Sequence, residues 1–159
     1  MSFEIERKFL VSDASVLHGH PGERLVQAYI AATDRATVRV RIAGEQAWLT
    51  LKGATKGISR RELEYPVPVA DAEICLAELC GDGVVSKTRY RIPYAGHVWE
   101  VDVFDGANAG LVLAEIELSS DDEVFEHPPW VGEEVSGDPR YFNSHLAEHP
   151  FSLWQGRDP

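Results

Sequence analysis

The chain has 159 residues, 44% hydrophobic and 26% charged, which suits one soluble domain, 1–159, with a core of ordinary size. A formal net charge of −11 works against a nucleic-acid duplex or an anionic membrane as partner, and any anionic substrate needs the few Lys and Arg gathered in one place. No apolar run reaches the length of a membrane span and charges begin at residue 4, unlike a signal peptide, so a cytoplasmic location is expected.

Period two dominates the chain. Strands are predicted at 3–11, 25–32, 36–43, 46–53, 60–68, 86–92, 97–104 and 111–119. Turn residues at Ala43-Gly44-Glu45, Gly53 to Gly57, Ala95-Gly96 and Gly106 to Gly110 separate neighbours by short loops, which favours antiparallel hairpins. Helical pattern is confined to 70–80, capped by Asp71 and Gly81, to 120–126 behind Ser119-Ser120-Asp121, and to 139–148, opened by Pro139 and stopped by Pro150. Cys75 and Cys80 fall in the first of these, as packing residues. The fold class is therefore mostly β (α+β): an eight-stranded antiparallel β-barrel over 3–119, with a few peripheral helices and a helical C-terminal segment over 120–159.

Alternate residues of a strand face opposite sides. In Phe3-Glu4-Ile5-Glu6-Arg7-Lys8-Phe9, residues Glu4, Glu6 and Lys8 share a face. Later strands repeat the device: Arg39 and Arg41; Trp48, Thr50 and Lys52; Arg60, Glu62 and Glu64; Lys87, Arg89 and Arg91; Glu100 and Asp102; Glu115 and Glu117. A solvated sheet face mixes signs and carries polar filler, whereas here acids and bases segregate by strand. Like charges two apart repel, and in an interior they require ligands of opposite sign. Divalent cations suit the carboxylate pairs, and phosphate suits the Arg and Lys pairs. One cavity lined by both would hold a polyanion together with metal.

These segments resemble the CYTH superfamily, the triphosphate tunnel metalloenzymes. Glu4-Ile5-Glu6-Arg7-Lys8 matches that family's ExExK signature. The likeness continues through Val38-Arg39-Val40-Arg41, Leu49-Thr50-Leu51-Lys52, Ser59-Arg60-Arg61-Glu62-Leu63-Glu64, Lys87-Thr88-Arg89-Tyr90, Glu100-Val101-Asp102-Val103-Phe104 and Ala114-Glu115-Ile116-Glu117. It ends at Asp138-Pro139-Arg140-Tyr141-Phe142-Asn143. The resemblance implies a barrel whose lumen binds a small-molecule triphosphate with Mg²⁺ or Mn²⁺, and hydrolysis of inorganic tripolyphosphate to pyrophosphate and phosphate. Adenylate cyclase, thiamine triphosphatase and non-catalytic polyphosphate binder are the alternatives. Many family members are dimers, which leaves a homodimer open.

On that footing Glu4, Glu6, Asp102, Glu115 and Glu117 are the expected metal ligands. Lys8, Arg39, Arg41, Lys52, Lys87 and Arg89 are expected to grip phosphate. Glu62 and Arg60 would orient water or their neighbours, and Tyr29 would reach into the lumen or pack at its end. Glu64 and Arg91 belong at the barrel mouth, and the helix at 139–148 is expected to plug one tunnel end. His145-Leu146-Ala147-Glu148-His149 has the H-x-x-E-H spacing of a zinc peptidase, but Pro150 stops the helix there, so a solvated helix end is expected instead.

Overall fold

The computed structural model describes residues 3–154; the extremes of the expected domain, 1–2 and 155–159, lie outside the described residues. Nine strands form: β1 (Phe3–Val11), β2 (Gly22–Ala32), β3 (Ala36–Ala43), β4 (Gln46–Gly53), β5 (Ser59–Val67), β6 (Val85–Tyr94), β7 (His97–Phe104), β8 (Val112–Glu117) and β9 (Val131–Glu134). The sheet order is β5-β4-β3-β2-β6-β7-β8-β1-β9, and a further β1–β5 pairing closes the first eight into an antiparallel barrel. The β1–β5 seam is short, three residue pairs from Phe3 to Ile5, and β9 pairs with the later part of β1 at Phe9 and Val11.

Two hairpins set much of the register. Gly44-Glu45 joins β3 to β4, and Ala95-Gly96 joins β6 to β7. In the second, both turn residues have positive φ (49° and 83°), the left-handed geometry that matches strand twist. The resulting partners are Arg41↔Trp48 and Arg39↔Thr50 on one hairpin, and Arg89↔Asp102 and Arg91↔Glu100 on the other.

The barrel is inside out by the standard of small barrels, which fill their lumens with apolar side chains. Here most of the apolar core lies on the outer wall. Phe9, Trp99, Val101, Ala114, Ile116 and Trp130 form one cluster under the segment that follows β8, with Phe125 packed against it. Val40 and Ala47 meet Ala72 of α1 (Val69–Ile74) in another. A third cluster does sit across the barrel: Val85, Phe104 and Leu113 pack with Tyr141 and with Leu146 of α2 (Asn143–Glu148).

The helices differ from expectation in detail. The predicted 70–80 helix is α-helical only to Ile74 and continues as a π-helical turn over Cys75–Leu79, closed by Cys80 N–H donating to Cys75 O at 2.9 Å. Pro68, not Asp71, stands at its N-cap, and Asp71 falls in the first turn. Residues 120–126 are not helical. Glu123 accepts from the Ser119 backbone at 2.6 Å and its hydroxyl at 2.7 Å, and His97 Nε2 donates to its other oxygen at 2.6 Å. Phe125 meanwhile docks edge-on against Trp99. Tertiary capture of both side chains outweighs a weak local helix signal. The 139–148 segment splits into a 3-10 turn at Pro139–Tyr141 and α2, because Phe142 is extended.

Candidate active site

Parity of the strands brings most of the expected residues into one cavity of about 190 Å³. Glu4, Glu6 and Lys8 come from β1, Tyr29 from β2, Arg39 and Arg41 from β3, and Lys52 from β4. Arg60, Glu62 and Glu64 come from β5, Lys87 and Arg89 from β6, Glu100 from β7, and Glu115 and Glu117 from β8. Tyr29 reaches the lumen at a register shift in β2. Arg91 is half-exposed at a neighbouring opening with Glu23 and Trp48, so it belongs to the mouth. Glu64 borders both spaces.

Asp102 is the departure. It is expected among metal ligands, yet it does not line the cavity and is 2% exposed. Its two oxygens accept from Arg89 Nε at 2.8 Å and Nη2 at 2.9 Å, and Lys87 Nζ lies 2.8 Å away. Burial would raise its pKa, but the two cations outweigh that and hold the carboxyl well below the usual range. In this structure Lys87 and Arg89 share it as a counter-ion.

Most other lumen charges pair likewise. Lys52 meets Glu4 at 2.8 Å and Glu62 at 3.5 Å; Lys8 meets Glu115 at 3.4 Å; Arg39 meets Glu64 at 3.5 Å. Burial pushes Glu4 upward, but Lys52 and Arg60 more than offset it and leave the carboxyl below its ordinary value. Glu115 falls to about 2: burial acts upward, and Lys8, Arg89 and Lys87 outweigh it. Lys87 moves the other way, down to about 7, because burial strips its ammonium of water and Asp102 only partly compensates.

Two carboxylates escape this pairing. Glu6 and Glu117 are register partners across β1 and β8, and among the described residues no Lys or Arg comes within ion-pair distance of either. Burial, then Glu115 and Glu4, push Glu6 well above its ordinary pKa; burial, then Glu4 and Glu100, raise Glu117. Both are held in a field of like charge that a divalent cation would relieve, and all-oxygen donors are what Mg²⁺ and Mn²⁺ prefer. Among the described residues no three ligand-type side chains yet converge on one point, since Glu4 and Glu115 turn toward lysines. The chemistry of the donor set nevertheless fits a hard divalent ion between β1 and β8.

Asn143 and Ser144 of α2 also line the cavity. Lys8 Nζ donates to the Tyr141 carbonyl at 3.0 Å, and Lys87 Nζ to Asn143 Oδ1 at 3.0 Å. The segment expected as a plug thus lies against the cavity and presents neutral acceptors to it. Asn143, Ser144, Thr37 and the fully buried Gln27 were outside the charged pattern that the strands display. Asn143 lies within the Asp138–Asn143 segment of the family resemblance, which was the only signal for it. His145 and His149, the peptidase-like pair, end α2 with ring centroids 4.8 Å apart and no third ligand among the described residues.

Comparison with known proteins agrees with this geometry. The CYTH domain model matches residues 2–142. The inorganic triphosphatase of Acetivibrio thermocellus is 46% identical over 151 residues, covering 95% of this chain and 97% of the relative. That of Nitrosomonas europaea is 41% identical, covering 91% and 96%. A solved inorganic triphosphatase structure superposes with a TM-score of 0.67 at 36% identity, over 91% of this chain and 93% of that one. A Pyrococcus horikoshii protein at 21% identity and TM-score 0.56, over 75% and 81%, shares the fold. The chain belongs to the CYTH domain family.

Proposed function

We propose that this protein is a divalent-metal-dependent triphosphatase that hydrolyses inorganic tripolyphosphate to pyrophosphate and phosphate. The observation that carries the reading is the double imbalance of one closed lumen: unpaired carboxylates on β1 and β8, and a cationic wall on β3 and β6. The names of the two relatives support the same substrate.

In this reading Lys8, Arg39, Arg41, Lys52, Lys87 and Arg89 hold the phosphate chain along the lumen. Glu4, Glu6, Glu115 and Glu117 would hold Mg²⁺ or Mn²⁺, and Asp102 keeps Lys87 and Arg89 in place. The bound ion would supply charge neutralisation of phosphate oxygens and a more acidic water. Glu62 at the lumen edge, its carboxyl raised chiefly by burial, orients the attacking water, and Arg60 steadies Glu4 across the β1–β5 seam at 3.4 Å. Water oxygen bonds to the terminal phosphorus and releases a proton to solvent, the bridging P–O bond breaks, and pyrophosphate leaves. Cations along β3 and β6 stabilise the charge that develops on the leaving oxygen. Tyr29 borders the same space. Among the described residues the lining of the lumen is almost wholly charged and polar, which argues against a pocket for adenine, thiazolium or pyrimidine rings.

The test is incubation with tripolyphosphate, ATP and thiamine triphosphate, each with Mg²⁺, Mn²⁺ or EDTA, with products resolved by chromatography. Fast metal-dependent phosphate release from tripolyphosphate and weak turnover of the others is the expected result. Cyclic AMP from ATP would transfer the chain to the cyclase class, and binding without any product would make it a polyphosphate binder. No helix among the described residues is long and apolar enough to cross a membrane.

A further inference from the structure

Arg41 stands apart from every other lumen cation. Lys8, Arg39, Lys52, Arg60, Lys87 and Arg89 each have a carboxylate within 4.0 Å. Among the described residues Arg41 has none. What it has is an uncharged partner: its Nε donates to Gln27 Oε1 at 2.8 Å. Gln27 is wholly buried on β2, directly opposite Arg41 in the β2–β3 register. Its amide nitrogen donates to Asn143 Oδ1 at 3.2 Å, and that same oxygen accepts from Lys87 Nζ at 3.0 Å.

The direction of this chain of bonds is forced. An Arg Nε–H can only donate, so Gln27 must present its oxygen to Arg41 and its NH₂ to Asn143. A protonated Lys87 can only donate, so Asn143 must present its oxygen to both. Two amides thus join two cations with no carboxylate in between. Reversing either amide sets donor against donor in a buried site, which leaves buried polar groups unsatisfied. The guanidinium is therefore fixed at Nε while both Nη groups keep their capacity to fork onto an anion, and its positive charge is left for the ligand to neutralise.

We propose that Gln27 is a positioning residue for this site: braced by Asn143 at the lumen floor, it aims Arg41 at the phosphate chain without neutralising it. The inference rests on the triphosphatase reading for the identity of the ligand, and its logic is that an acid in the place of Gln27 would give Arg41 the ion pair every other lumen cation has. The amide in that place keeps one full positive charge free for substrate.

A double-mutant cycle tests it, using the full chain with tripolyphosphate and Mg²⁺. Gln27→Met keeps the length and removes both hydrogen bonds; it should raise KM about tenfold with a smaller change in kcat, the loss expected for one charge-assisted contact. Arg41→Met should raise KM at least as much, and Gln27→Met added to Arg41→Met should cost nothing further, since Gln27 acts through Arg41. Gln27→Glu, isosteric and so safe for folding, should raise KM more than Gln27→Met does. Additive penalties in the cycle, or an unchanged KM in Gln27→Glu, would overturn the proposal. If the wild-type protein binds tripolyphosphate in EDTA but never cleaves it, the triphosphatase reading fails, and the same cycle run on that Kd still decides the role of Gln27. Absence of both binding and turnover overturns the two together.

Discussion

The two walls of the lumen are built by the same alternation and end in opposite states. On the β1–β8 wall, Glu6 and Glu117 face each other without a cation partner, while Lys8 and Glu115 pair beside them. On the β3–β6 wall, Arg41 is left without an acid, while Lys87 and Arg89 share Asp102. Neighbouring charges could have cancelled throughout, as they do for Glu4 and Lys52. Among the described lumen residues they cancel except at one acidic and one basic place. A packed protein tolerates such residual charge poorly, and it is tolerable where the missing partner arrives as a ligand: in the proposed reading, metal on one wall and phosphate on the other.

The sharpest way to break this comparison is Glu6→Gln. Turnover of tripolyphosphate with Mg²⁺ should fall by about a thousandfold or more, the scale of losing a charge that acts on the transition state. Melting temperature of the metal-free variant at pH 8 should rise, because an uncompensated buried charge is gone. Retained turnover together with a lower melting temperature would mean that Glu6 is an ordinary structural acid.

Asp102→Ala probes the other wall. Removing one partner of a buried pair costs about 3–5 kcal/mol, and here a single deletion strands both Lys87 and Arg89. A large fall in melting temperature, with Mg²⁺ affinity of the folded variant within a few fold of wild type, is expected. A selective loss of Mg²⁺ affinity in a stable variant would return Asp102 to the metal ligands.

These two residues also mark what was legible in the sequence. Charge on alternate positions of β1, β3, β5, β6, β7 and β8 placed the lumen face, because period two is a strong local signal and the charges repeat along it. Parity could say that Asp102 shares the face of Glu100, but depth along a tilted strand is set by closure, so its burial behind Arg89 was not readable. Gln27 was invisible as a site residue, since a neutral amide on a strand carries no pattern. Residues 131–134 form β9 only because β1 offers an edge beyond its pairing with β5. The 120–126 segment reads as a capped helix, and loses that form to His97 and the Trp99 cluster, contacts distant in sequence.

Metal and pH sharpen the acidic wall further. Glu6 and Glu117 bind protons more tightly folded than unfolded, so between the ordinary carboxylate range and their raised folded values the native state holds more protons. Stability therefore falls as pH rises through that window. On the proposed reading Mg²⁺ would replace those protons, and its stabilisation of the protein should be larger at pH 8 than at pH 5. Thermal melts with and without Mg²⁺ at both pH values check this; equal increments would place the ion elsewhere.

The basic wall makes a smaller prediction of the opposite sign. Burial lowers Lys87 to about 7, so its ammonium should give up its proton more readily than an ordinary lysine as pH rises above neutrality. A phosphate beside it favours the charged form, so binding must take up a proton above pH 7. Affinity for tripolyphosphate, read in EDTA to keep metal out, should weaken as pH rises, by at most about tenfold per unit. Ionisation of the ligand itself contributes to any such slope, and Lys87→Arg separates the two: the guanidinium stays charged across this range, while the ligand titrates identically. The wild-type slope should exceed that of Lys87→Arg between pH 7 and 9. Equal slopes would mean that Asp102 keeps Lys87 charged throughout, and that the β6 cation is as fully compensated as its neighbours, leaving Arg41 alone to carry the imbalance of that wall.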